Sequence, residues 1–185
     1  MRNPSAWADV TAEQIGFLNP SNCFELQPAA TNGMSPAAIA GFTGNCTEEW
    51  SGSGNEFGQT LCTYLDGPKF AMLTPDAVSG LTSPCADSLS PAAFSQASSQ
   101  QLAVLRPMFC MGLGASVLHR ASPSALAGMG SACLQNLQES ACAGFTPDGL
   151  SAIQPDNFVG EYAQCRPPTT LFMSIGGEGF GFHLI

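Results

Sequence analysis

Eight cysteines are the residues of this 185-residue chain whose type and spacing most directly imply chemistry. Cys23 and Cys46, Cys62 and Cys85, Cys110 and Cys133, and Cys142 and Cys165 form four consecutive pairs, each 23 positions apart. An even, regularly spaced set reads as a disulfide framework, and so as a chain that matures outside the reducing cytosol. Zinc ligation fits less well because no Cys-x-x-Cys pair exists. A cysteine nucleophile is disfavoured for want of a histidine motif. Equal spacing favours sequential pairing, each bridge closing a loop that holds about two short helices. Bridged Cα atoms must lie within about 7 Å, whereas stacked helices sit roughly 8–10 Å apart, so sequential pairing needs loops that draw neighbouring layers together. Cys85 with Cys110 is the main rival pair.

Other reactive groups are sparse. His119 and His183 are the only histidines. His119, beside Arg120, reads as a helix C-terminal residue complementing the helix dipole. Asp148, Asp156 and Glu161 read as acidic residues near helix starts. No phosphate loop, GxGxxG or G-x-S-x-G occurs, and the run 176–181 (GGEGFG) is not followed by a helix. EF-hand spacing is absent. The expectation is no enzyme, no cofactor and no metal, with a paired-carboxylate hydrolase a distant third reading.

Composition narrows the partners. Charged residues make up 10% of the chain, against roughly 25% in typical globular proteins. Lys69 is the only lysine, and net charge is −9. Nucleic acid and anionic membranes are therefore excluded as partners. No run of about 18 apolar residues predicts a membrane helix, and no signal peptide follows Met1, so an extracellular chain would be a mature or excised piece. Asn45-Cys46-Thr47 is the one glycosylation sequon.

The elements that position the cysteines show a second period. Thr74, Ser98, Ser122 and Thr146 recur at one constant interval. Apolar residues follow four positions on (Val78, Leu102, Leu126, Leu150) and seven on (Leu81, Leu105, Met129, Ile153). Ser or Thr before proline is a helix N-cap with proline at the first helical position. Thr11 and Ser35 open the same pattern near the N-terminus, and Ser90-Pro91 opens another helix half a repeat later. From Ser35 to Thr74 runs one repeat plus an excess of about 15 positions. The predicted fold is all-α: a superhelical solenoid of short helix pairs with a roughly 24-residue repeat. Helices of roughly 6 to 9 residues are marginal alone and need stacking neighbours.

This repeat domain is expected over 1–168, with an irregular insertion over about 47–73. There Glu48, Glu49 and Trp50 lead into a Gly/Ser run and Phe57. The insertion reads either as a contact loop or as an excursion whose Trp50 and Phe57 fold back onto the helices. Residues 169–185 alternate glycine with apolar side chains and read as an extended or β-like tail. Phe172, Phe180 and Phe182 make that tail a candidate assembly segment.

The stretch Cys85-Ala86-Asp87-Ser88-Leu89-Ser90-Pro91-Ala92-Ala93-Phe94-Ser95, continued by Ser98 to Pro107 and closed by Cys110, resembles the family of mesothelin, stereocilin and otoancorin. The close resemblance covers the segment 85–110. It implies an all-α superhelix, extracellular placement and adhesion, and it implies Cys85–Cys110 as a competing bridge. The expected function is an extracellular structural or adhesive protein, partnered by copies of itself or by a surface scaffold. The alternative is a monomeric module that binds protein or glycan through 47–73.

Overall fold

A computed structural model describes residues 4–52, 62–158 and 165. The described residues form fifteen α-helices, three 3-10 turns and no strand. The helices are α1 (Ala12–Gly16), α2 (Pro20–Phe24), α3 (Pro28–Gly33), α4 (Pro36–Ile39), α5 (Gly44–Ser51), α6 (Gly67–Met72), α7 (Pro75–Gly80) and α8 (Ser83–Ser88). There follow α9 (Ser99–Ala103), α10 (Pro107–Cys110), α11 (Ala115–Leu118), α12 (Pro123–Leu126), α13 (Ser131–Leu134), α14 (Glu139–Cys142) and α15 (Pro147–Ala152). The 3-10 turns are Pro4–Trp7, Ala93–Gln96 and Pro155–Phe158. The tail 169–185, like residues 53–61, lies outside the described residues.

The helices are shorter than expected, at 4 to 8 residues, and their N-caps fall eight residues apart. Thr11, Asn19, Gln27, Ser35 and Thr43 make one run; Asp66, Thr74 and Thr82 begin a second that continues from Ser98 to Thr146. Ser90 keeps the step, but its proline leads into the 3-10 turn Ala93–Gln96 instead of an α-helix. Counting the N-cap as position 1, its side chain accepts from the amide at position 4, as in Thr74 from Ala77 (3.1 Å) and Ser122 from Ala125 (3.1 Å). Positions 4, 5 and 8 are buried: Ala38, Ile39 and Phe42; Ala77, Val78 and Leu81; Ala125, Leu126 and Met129. These positions share one face of a single helical turn plus its exit, which is all the apolar surface so short a helix can offer.

Helices pack in three rows, and where the step is unbroken a row's successive elements lie three steps apart, as α1 and α4 or α9 and α12. The first row runs α1, α4, α6, the turn Ala93–Gln96, α11 and α14; the second runs α2, α5, α7, α9, α12 and α15. The described part of the third falls in two segments: the turn Pro4–Trp7 with α3, and α8, α10, α13 and the turn Pro155–Phe158. One full period therefore holds three helices, not the expected pair. Ser35 and Thr74 cap helices in different rows, which accounts for one eight-residue step of the excess between them. The rest of that excess separates Thr43 from Asp66, following the unusually long α5.

Glycine at position 7 permits close approach between neighbours in a row. A Cβ on Gly41, Gly80, Gly128 or Gly144 would overlap the backbone of Ala12, Gly44, Ser99 or Ala115 respectively. At Gly112 it would sit 2.5 Å from the Ser83 carbonyl oxygen. Gly128→Ala is expected to cost about 3 kcal/mol by overpacking, read as a lower denaturation midpoint. Gly130→Ala, where a Cβ meets nothing within 4 Å, serves as the control without overlap and should cost clearly less, since it loses only a helix N-cap preference.

Polar side chains at position 4 close the helix ends that face the next row. Gln101 Nε2 donates to the Phe70 and Leu73 carbonyls at 2.9 and 2.6 Å. Lys69 Nζ donates to the Thr31 and Asn32 carbonyls at the end of α3, at 2.8 and 3.2 Å. Carbonyls at a helix end lack partners within their own helix. Lys69 is only 8% exposed; burial pushes its ammonium below the usual lysine range, while Asp66 opposes the shift.

Candidate interaction surface

The cysteines sit at two positions of the eight-residue step. Cys23, Cys110 and Cys142 occupy position 5; Cys46, Cys85 and Cys133 occupy position 4. A bridge from position 5 to position 4 three steps later spans one full period less one position, which is the origin of the common separation of 23. The structure pairs them sequentially: Cys23–Cys46, Cys62–Cys85, Cys110–Cys133 and Cys142–Cys165, with Cα atoms 5.3, 5.2, 5.3 and 4.9 Å apart. The rival Cys85–Cys110 bridge is not formed. The bridged atoms lie closer together than the helix axes do. Helices about 8–10 Å apart with a Cα radius of about 2.3 Å bring facing Cα atoms to within about 4–5 Å. No cysteine is free, so the thiols serve as cross-links and none is available as nucleophile or ligand.

No bridge joins α5 to its next row neighbour, and buried hydrogen bonds tie α5 to α7 and its exit there. Asp76 Oδ2 accepts the Gly44 amide at 2.7 Å, and Thr47 donates its hydroxyl to the Ala77 carbonyl at 2.6 Å. The Thr82 amide donates to Ser51 Oγ at 3.2 Å, and the Thr82 hydroxyl to the Ser51 carbonyl. At the surface of this corner, Arg106 forms a two-pronged pair with Glu48 at 3.0 and 3.1 Å. The guanidinium, chiefly by hydrogen bonding and then by its charge, holds the Glu48 carboxyl below its ordinary range. A carboxyl depressed in the folded state stabilises above its unfolded pKa and loses that contribution as pH falls through the folded value. Both side chains are nearly half exposed, so Arg106→Ala is expected to cost less than about 1 kcal/mol at pH 7. Parallel denaturation curves at pH 7 and pH 3 should show the difference shrinking with acid.

His119 caps the end of α11. Among the described residues, no group of three or more His, Cys, Asp or Glu side chains is placed to hold a metal ion. Among them also, no helix is long and apolar enough to cross a membrane.

Trp50, expected as a candidate contact residue, is fully buried and stacks on Phe42 with ring centroids 5.3 Å apart. It occupies position 8 of the Thr43 step, a core position, and α5 extends one residue beyond it. Of the expected insertion, the part of α5 from Thr47 onward and all of α6 are regular helix. Asn45 is exposed on α5. Phe57, Phe172, Phe180 and Phe182 lie outside the described residues.

The described surface instead carries apolar side chains that the sequence reading passed over: Phe17 (80% exposed), Phe24, Tyr64, Met72, Met108 (56%) and Met111. Phe17 and Met72 are at position 7 of their steps, Phe24 and Met111 at position 6, and Met108 at position 3. Positions 3 and 6 face outward in a step whose buried set is 4, 5 and 8, while position 7, which meets the row neighbour where it is glycine, is left exposed at Phe17 and Met72. A large apolar residue at an outward position is the signal that would have found them. Comparison with known proteins finds no matching family model, no matching curated protein and no matching solved structure.

Proposed function

We propose that the three-row packing is an open superhelical solenoid, and that the chain is an extracellular structural or adhesive element. It assembles with copies of itself or within a larger surface scaffold. The observation that carries this reading is the common register of the four bridges. Each spans the same separation along the chain, so each covalently ties one stretch of the stack to the next and resists the parting of stacked helices. A chain with so little charge also favours packing against neighbours. The disulfides fit an oxidising, extracellular setting, and the mesothelin-like stretch 85–110 is part of the same proposal.

Sedimentation velocity and negative-stain imaging of the full chain test it, with a 1–168 truncation as the comparison. Oligomers or filaments that vanish on truncation are expected. Assembly unchanged without 169–185 removes the tail's role, and a monomer at every concentration removes self-assembly. The second reading, a monomeric binding module, is favoured by the exposed apolar side chains at outward positions. It predicts saturable one-to-one binding weakened by Met108→Ser or Phe17→Ser with the melting curve unchanged.

A further inference from the structure

The sequon Asn45-Cys46-Thr47 lies within α5, and the fold separates its parts. Helical geometry places residues two apart on nearly opposite sides of the axis. Asn45 accordingly faces solvent while Thr47 is fully buried. The Thr47 hydroxyl is committed to the Ala77 carbonyl at 2.6 Å and lies 3.0 Å from the Gly44 carbonyl. Cys46 between them is buried and bridged to Cys23. The α5 N-terminus is further held by Asp76 on the Gly44 amide. An oligosaccharyltransferase must engage the asparagine amide and the hydroxyl two residues on at the same time. In the folded chain that requires α5 to unwind and leave α7.

We propose that Asn45 is an N-glycan acceptor only before folding, and that closure of the Cys23–Cys46 bridge ends its window. In the transfer, the Asn45 amide nitrogen attacks the anomeric carbon of a lipid-pyrophosphate-linked oligosaccharide. A carbon–nitrogen bond forms, the carbon–oxygen bond to the lipid pyrophosphate breaks, and the amide proton passes to a base of the transferase. Once attached, the glycan projects from an exposed side chain, so the native packing of α5 tolerates it. Glycan occupancy and disulfide closure are then competing events at adjacent residues. This rests on the reading of the chain as a product of an oxidising secretory route, and is independent of whether it self-assembles.

The test offers non-glycosylated, oxidised protein to microsomal membranes that supply the transferase and its lipid-linked donor, beside the same protein held reduced. Glycosylation is read as a mass shift removed by an N-glycosidase that leaves an aspartate in place of Asn45. The oxidised protein should be modified at least about tenfold less than the reduced one, because only the rare opened state presents the sequon. In secretory expression, Cys23→Ser, which leaves the sequon intact, should raise occupancy above that of the unaltered chain. Equal modification of oxidised and reduced protein overturns the proposal. So does the absence of modification in both purified forms and in Cys23→Ser.

Discussion

Reduction of all four disulfides is expected to unfold the protein. Each bridge closes a loop across a sequence separation of 23, and the chain-entropy model assigns such a loop roughly 3 kcal/mol. Four together approach about 12 kcal/mol, within the range of about 5–15 kcal/mol that is a whole domain's net stability. Nothing local compensates. Helices this short, from the 4 residues of α4 to the 8 residues of α5, lie below the length at which an isolated helix holds in water. Far-UV circular dichroism in reductant should show the helical signal collapsing at room temperature while the oxidised protein retains it. A native spectrum and a cooperative melt in excess reductant would show that row packing alone suffices. Removing one bridge, as in Cys110→Ala with Cys133→Ala, should cost about 3 kcal/mol and leave a folded protein.

Trp50→Ala is the second large effect, expected at about 4 kcal/mol. Trp50 has no exposed surface, stacks on Phe42 and sits among the largest fully buried side chains. Its removal opens a cavity beside α5, which is held to its row neighbour α7 by hydrogen bonds in place of a bridge. Chemical denaturation should show the midpoint falling sharply with little change in slope. Any accompanying loss of binding would then follow the loss of folded protein. Phe17→Ala makes the contrast: an 80% exposed side chain should change stability by no more than about 0.5 kcal/mol. A mild Trp50→Ala phenotype would place the indole outside the core.

Much of the local structure was legible from residue types. Ser and Thr before proline announced the caps at Ser35, Thr74, Ser122 and Thr146, and each cap forms its hydrogen bond. The structure places three helices in a period where the residue pattern implies a pair, because the strongest of these signals fall in one row. Thr74, Ser98, Ser122 and Thr146 all open second-row helices. Their neighbours begin at Arg106, Gly114, Gly130 and Gln138, where no side-chain cap forms. Apart from Pro107 after Arg106, such starts carry no capping side chain to mark them, and propensity alone barely distinguishes one helical turn from a loop. Trp50 was ambiguous for a related reason. A single aromatic before a Gly/Ser run fits a contact loop, and only the eight-residue step shows it to be a core position.

By itself, then, the amino-acid sequence determined the capped helix starts and the common spacing of the cysteines, because these are patterns of residue type along the chain. Which cysteine meets which was decided by the tertiary structure. So were the close approach at Gly41, Gly80, Gly112, Gly128 and Gly144 and the burial of Lys69 against the end of α3. Each of these joins groups well separated along the chain, and their contact exists only once the rows have stacked.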